Sequence, residues 1–93
     1  MKVIHKYPLV SRDRTDLDLL DTMVPANHKF LHLGLDGHHQ TCIWCEITPD
    51  AEPDTPLSFI RVSTGWTIDL NSYEYIRTVE DLPFIWHFYR IKA

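Results

Sequence analysis

The sequence has little of what membrane insertion or export requires. Its longest uninterrupted apolar run is the four-residue stretch Cys42-Ile43-Trp44-Cys45, whereas a membrane-spanning helix needs about 20 apolar residues. Near the amino terminus, Lys2 and Lys6 interrupt the apolar stretch that a secretory signal needs. We therefore expect a protein that does not cross a membrane and carries no export signal, and the expected compartment is the cytosol.

Cysteine is scarce as well. The chain has two cysteines, and a reducing compartment keeps such residues as thiols or metal ligands. Along an extended strand Cys42 and Cys45 would lie about 10 Å apart, which is too far for a disulfide bond. We therefore expect two unpaired thiols.

The pattern His38-His39-x-x-Cys42-x-x-Cys45 contains the residue types of a zinc site. In a strand, however, the two cysteines point to opposite faces, so they cannot share a metal without a sharp turn. We predict a buried Cys45, a half-exposed Cys42 and two solvated turn histidines. No metal and no other cofactor is expected.

Positive charge is in the minority, because nine Lys and Arg stand against thirteen Asp and Glu, for a net charge of −4. Non-specific binding of DNA or of an anionic membrane requires an excess of cations. Neither is therefore expected as a partner. Most basic residues nevertheless fall in or beside segments with strand patterns, so a locally positive face is compatible with the overall acidity.

Alternating apolar residues dominate the rest of the chain, which is 44% hydrophobic and 12% aromatic. Ninety-three residues suffice for one core, so we expect a single domain over residues 1–93. Six firm strands and one doubtful strand predict an all-β fold, an antiparallel sandwich or small barrel of about six to seven strands. The firm strands are predicted at 3–7, 29–35, 41–47, 57–63, 73–79 and 84–91, the last being apolar on both faces as in a central strand.

The clearest hairpin joins the strands at 29–35 and 41–47. Asp36-Gly37 between them is favoured chemistry for a tight turn. Period-2 alternation places Leu31, Leu33 and Leu35 on one face, which we expect to contribute to the core.

Residues 11–24 support two interpretations. Thr15 and Asp18 resemble a helix capping box, and apolar residues recur at nearly helical spacing. Leu17 and Leu19 fit strand alternation equally well. The sequence leaves helix, short strand and irregular connection open here.

Tyr73, Tyr75 and Arg77 alternate in one predicted strand and would share a face. Together with Arg61, such a face has the aromatic and basic groups that stack a base and contact a phosphate. Cross-strand packing, with Arg77 covering the tyrosines, is the alternative explanation.

Trp66 follows Gly65 in a predicted loop, where an exposed aromatic often anchors a partner protein; it would otherwise cap the core. His87 is a candidate binding residue, or else a core-edge imidazole with a backbone partner. No nucleophile is placed beside a base, so an enzyme is not expected.

Seven short stretches, spread over nearly the whole chain, stand out together. They are His5-Lys6-Tyr7-Pro8-Leu9, Leu33-Gly34-Leu35-Asp36, Cys42-Ile43-Trp44, Thr48-Pro49-Asp50-Ala51, Thr64-Gly65, Tyr75-Ile76-x-Thr78 and Pro83-Phe84-x-Trp86-His87. In this order they resemble a family of small uncharacterised proteins, a domain of unknown function, encoded by tailed bacteriophages and prophages. The segment at 11–22 is longer here, Cys45 replaces a small residue, and Trp66 replaces what is often His.

The resemblance implies a viral context in the host cytoplasm and no assigned activity. We therefore expect an accessory binding protein that counters a host defence system, by occluding a host protein or by sequestering a signalling nucleotide. The alternative is a structural or assembly role, such as a minor virion component. The sequence leaves self-association into a homo-oligomer open.

Overall fold

The computed structural model describes residues 1–12 and 18–92, which form eight β-strands in two antiparallel sheets. The predicted all-β sandwich is confirmed, with eight strands where six to seven were expected. No helix occurs in these two ranges, and therefore none that could span a bilayer. The strands are β1 (Val3–Pro8), β2 (Val10–Ser11), β3 (Leu19–Val24), β4 (Lys29–Leu35), β5 (Thr41–Ile47), β6 (Thr55–Ser63), β7 (Tyr73–Asp81) and β8 (Phe84–Ile91).

One side of the sandwich is closed by a strand that changes sheets. The smaller sheet has the order β1-β5-β4 and the larger has the order β2-β3-β6-β8-β7. The chain leaves the smaller sheet after Pro8 and enters the larger one at Val10. Between them, Leu9 is buried and its N–H donates to the carbonyl of Thr41 at 2.9 Å. Strands that switch sheets in this way form the corners of β-sandwiches.

The other side is bridged by side chains. Arg77 on β7 places Nη1 at 3.0 and 3.1 Å from the two ring nitrogens of His32 on β4. Because a neutral imidazole has one acceptor nitrogen, Arg77 donates to that nitrogen and lies beside the other. His32 also packs on Trp44, with 5.5 Å between ring centroids. Gly34 makes room for this arrangement, since a Cβ there would lie 2.8 Å from His32 Nε2.

The core follows the strand alternation. Leu57 and Phe59 of β6 face inward, and Ile43 and Ile47 of β5 face them from the other sheet. Strand β8 lies between β6 and β7 with Phe88 buried, as its apolar sequence predicted for a central strand.

The predicted hairpin of β4 and β5 is present but differs in its details. A register shift between Phe30 and His32 changes the alternation, so Phe30 packs against the core and Leu31 is 41% exposed. The predicted Leu31 contribution to the core is therefore wrong. The connection spans residues 36–40, and the left-handed residue is His39, with φ 61°, instead of Gly37.

Part of the ambiguous segment is strand. Val10–Ser11 pairs with β3, and Leu19–Val24 pairs along β6. Leu20 and Val24 are buried against the inner face of β6. Thr15 and Leu17, on which the helical alternative partly depended, lie outside the described residues.

Candidate partner-binding site

Trp86 organises an aromatic cluster at the start of β8. Phe84 stacks on it, with centroids 5.4 Å apart and planes at 22°. Trp66 approaches it edge-to-face at 6.0 Å and 77°. Both geometries are favoured for aromatic pairs. Trp86 itself is half-buried and packs against the core, so the cluster is attached to the folded body of the protein.

Arg61 supports this cluster from β6. Its guanidinium carbon lies 4.4 Å from the Trp86 ring centroid, which is a cation–π contact. Its Nε donates to Asp18 Oδ1 at 2.9 Å, and its backbone N–H donates to the carbonyl of Asp18 at 3.0 Å. The Arg61 side chain is 27% exposed. Asp18 therefore holds both the backbone and the side chain of Arg61, and the guanidinium of Arg61 packs on the Trp86 ring.

Four large apolar side chains at this end of the molecule are open to solvent, and two of them, Phe84 and Trp66, contact Trp86. Leu82 is 80% exposed, Phe84 53%, Trp66 51% and Ile85 40%. Three of these four residues lie in the β7–β8 hairpin, whose turn joins Asp81 to Phe84. We call Trp66, Leu82, Phe84, Ile85 and Trp86 the aromatic end. Adjacent exposed side chains of this size are uncommon on a protein surface that has no partner.

A polar cleft lies beside the aromatic end and shares Arg61 with it. Its volume is about 360 Å³, within the usual range of ligand pockets. His39 Nδ1 and Asp81 Oδ1 are 3.9 Å apart across one part of it. The lining residues are Leu9, Val10, Ser11, Leu20, His39, Gln40, Thr41, Arg61 and Asp81.

The predicted stripe of Tyr73, Tyr75 and Arg77 does not share one face. Tyr73 and Tyr75 pair across the ladder with outward-facing residues of β8, and the Tyr75 ring meets the Tyr89 ring edge-on at 5.5 Å. A register shift after Tyr75 places Arg77 opposite the buried Phe88, on the inner face. A β-bulge inserts one residue and so reverses the alternation. The four-residue nucleotide pocket that includes Arg61 is therefore not assembled.

His87 lies in a chain of hydroxyl groups on the outer face. Its Nε2 is 2.7 Å from Thr64 Oγ1 and its Nδ1 is 2.9 Å from Thr78 Oγ1. Thr78 Oγ1 is in turn 2.8 Å from the Tyr75 hydroxyl. The predicted backbone partner is replaced by two threonine side chains. A threonine beside a histidine is a nucleophile–base pair in principle, but here the imidazole is oriented by a hydroxyl, where hydrolases use a carboxylate.

The residues of the predicted zinc pattern are dispersed. Cys45 faces the core, while Cys42 lies on the opposite face of β5, as alternation predicted. His38 and His39 are exposed in the turn. Among the described residues, no group of three or more His, Cys, Asp or Glu is arranged to hold a metal ion.

The expectation of a half-exposed Cys42 is wrong, because both thiols are fully buried. Cys42 is covered by the turn, with Sγ 3.4 Å from the Gln40 carbonyl and 3.7 Å from Asp36 Oδ2. Burial, and then the Asp36 carboxylate, raise the pKa of the Cys42 thiol. Burial likewise raises the pKa of Cys45. Neither thiol is therefore prepared to act as a thiolate nucleophile.

Sequence reasoning identified Trp66 and Arg61 but missed the residue that joins them. The sequence pattern places Phe84 and Trp86 in a central strand and leaves Leu82 in the connection before it. The available signal was the apolar sequence Leu-Pro-Phe-Ile at a hairpin tip, where polar turn residues are usual. An apolar turn indicates a surface that is covered by something else.

Comparison with known proteins adds a family. No curated protein and no solved structure matches the chain. One family model does match, described as a domain of unknown function (DUF7352), and the match covers residues 1–93. The chain therefore belongs to the DUF7352 family over its whole length.

Proposed function

We propose that this protein is a binding protein without catalytic activity, and that the aromatic end is the surface that contacts a partner protein. The observation that carries the proposal is the exposure of four large apolar side chains at this end of the molecule. Two of them, Phe84 and Trp66, contact Trp86, which Arg61 and the core hold in place. Interface hot spots are enriched in Trp and Arg and lie on well-packed supports. A fixed aromatic cluster also loses little conformational entropy on binding.

A protein partner fits this surface better than a nucleotide does. Nucleotide sequestration needs aromatic faces and cations in one pocket, whereas Tyr75 and Arg77 lie on opposite faces of β7. At the aromatic end, the guanidinium of Arg61 is already bonded to the Asp18 carboxylate. Asp81 adds a second carboxylate beside the exposed hairpin tip. An apolar surface bordered by acids suits an apolar protein surface bordered by Lys or Arg.

The resemblance to bacteriophage and prophage proteins suggests the class of partner. We propose that the partner is a bacterial host protein and that binding counters a host defence system in the host cytoplasm. Occlusion of the host protein by the aromatic end is the mechanism. This proposal requires no catalytic residue and no cofactor.

Affinity capture from bacterial lysates tests the proposal. The tagged protein serves as bait beside the double variant Leu82→Ser/Phe84→Ser, which removes two exposed apolar groups without changing the core. Ile4→Ser is the matched control, because Ile4 is 58% exposed and lies on β1 of the other sheet. We expect one protein to be retained by the wild type and Ile4→Ser, and retention to fall at least tenfold in the double variant.

Two outcomes would contradict the proposal. One is retention of the same protein by all three baits, which would place the contact elsewhere on the molecule. The other is turnover of a captured molecule by the wild type, which would replace binding with catalysis. Circular dichroism and thermal unfolding establish that the double variant is folded before its capture is compared.

A further inference from the structure

The opposite end of the sandwich carries an inward-facing arginine that has no acidic partner. Arg90 on β8 is the register partner of Phe59 on β6 and of Glu74 on β7. Because Phe59 faces the core, Arg90 lies on the same inner face of the sheet. It is half-buried. Within the described residues, no ion pair or side-chain hydrogen bond joins it to Glu74 or to any other acid. A half-buried guanidinium in this state has lost water without gaining a counter-charge.

The surroundings of Arg90 place its charge close to the core. Its positive charge opposes the effect of burial on the pKa of the Cys45 thiol, and Cys45 is fully buried on the facing strand β5. Glu74, its register partner, is exposed. The guanidinium is therefore not neutralised by the residue directly opposite it on β7.

A cleft opens at this point, and a second cation lies in it. Its volume is about 470 Å³, large enough for a small organic molecule. Lys92, just beyond the end of β8, lines the cleft with Arg90, and its backbone N–H donates to the carbonyl of Ser72 at 3.1 Å. The lining residues are Pro56, Leu57, Ser58, Glu74, Arg90, Ile91 and Lys92.

We propose that this cleft binds a small aliphatic monocarboxylate, with the carboxylate between Arg90 and Lys92 and the aliphatic part against Pro56, Leu57 and Ile91. Arginine binds a carboxylate through charge-assisted hydrogen bonds that can be bidentate. Among the described residues that line the cleft, two cations and the carboxylate of Glu74 give a net charge of +1 (2 − 1). That balance suits a single negative charge better than a polyphosphate. The site lies at the other end of the molecule and does not depend on the aromatic end.

Titration followed by ¹H–¹⁵N correlation spectra tests this site with sodium hexanoate as the probe. We expect saturable shifts of the backbone amides of Leu57, Arg90 and Lys92. Hexanol, the uncharged analogue, should give no saturable shift at the same concentrations, and inorganic phosphate should bind more weakly than hexanoate. Loss of one charge-assisted hydrogen bond corresponds to about a tenfold weaker affinity, which we expect for Lys92→Gln and for Arg90→Gln.

Glu74→Gln keeps the proposal falsifiable if Arg90→Gln fails to fold. Removing the Glu74 carboxylate from the cleft should strengthen hexanoate binding, which a merely structural role of Glu74 would not do. The assignment is overturned if hexanoate gives no saturable shift, or if Lys92→Gln leaves its affinity unchanged. Phosphate binding as tight as that of hexanoate would also overturn it, because the aliphatic contact would then contribute nothing.

Discussion

At the scale of single residues, Asp36 contributes more local contacts than its turn position suggested. Its Oδ2 accepts from Lys6 Nζ at 2.9 Å. Its Oδ1 accepts from the backbone N–H groups of His38 at 2.8 Å and Gln40 at 3.0 Å. The Lys6 hydrogen bond, and then the two backbone donors, hold the pKa of the Asp36 carboxyl well below its usual range. The aspartate of the predicted Asp36-Gly37 turn therefore organises the β4–β5 connection through its side chain.

Lowering the pH should remove the contribution of the ionised Asp36 carboxylate to the stability of the fold. A carboxyl whose pKa is depressed by folding stabilises the native state above its unfolded pKa of about 3.9 and loses that effect as pH falls below it. We expect the unfolding free energy of the wild type to decline below about pH 4, and the decline to be smaller in Asp36→Asn. Urea unfolding between pH 2.5 and 7 measures both slopes. Glu52→Gln, in the exposed loop after β5, is the control and should keep the wild-type slope.

The two cysteines provide a matched pair of substitutions. In Cys45→Ser a hydroxyl would be placed in the apolar core, and an unsatisfied buried hydroxyl costs about 1–3 kcal/mol. In Cys42→Ser the hydroxyl would find acceptors in Gln40 and Asp36, so a smaller loss is expected. Denaturant unfolding of both variants tests this order. Equal destabilisation would contradict the difference in hydrogen-bond acceptors between the two faces of β5.

At the scale of the elements, alternation predicted which faces the strands bury, and β-bulges account for the main errors. The inward face of Leu33 and Leu35 on β4 and the central position of β8 followed from period-2 alternation and apolar composition. The register shifts after Phe30 and after Tyr75 could not be predicted from these patterns, because a bulge depends on how the neighbouring strand pairs. The bulge in β4 moved Leu31 out of the core, and the bulge in β7 separated Arg77 from the tyrosines.

The sheet order predicts how the strands exchange their amide hydrogens. Strands β3, β5, β6 and β8 have partners on both sides, whereas β4 and β7 are edges. We expect slow exchange in these four interior strands, and fast exchange at the β7 amides that point away from β8. Hydrogen–deuterium exchange followed by NMR at several protein concentrations measures this. Protection of β7 equal to that of β8 would contradict an exposed edge and indicate strand pairing between two copies.

At the scale of the whole molecule, the two ends of the sandwich have different chemistry. One presents the aromatic end and a polar cleft that share Arg61, and the other presents a cleft with Arg90 and Lys92. Strand ends supply most of the residues of both surfaces, and the loops add Trp66 and Leu82 to one and Lys92 to the other. Sequence reasoning could name Trp66 and Arg61 from their types. It could not show that they meet through Trp86, because that contact joins strands distant in sequence.

Site-specific photocrosslinking shows whether the aromatic end contacts a partner protein. A photoreactive phenylalanine analogue is placed at Phe84 in one version of the protein and at Ile4 in another, and each is irradiated in living bacteria. If the aromatic end contacts the partner, position 84 should give one discrete crosslinked protein and position 4 should give none. Crosslinks from position 4 alone, or the same product from both positions, would contradict it.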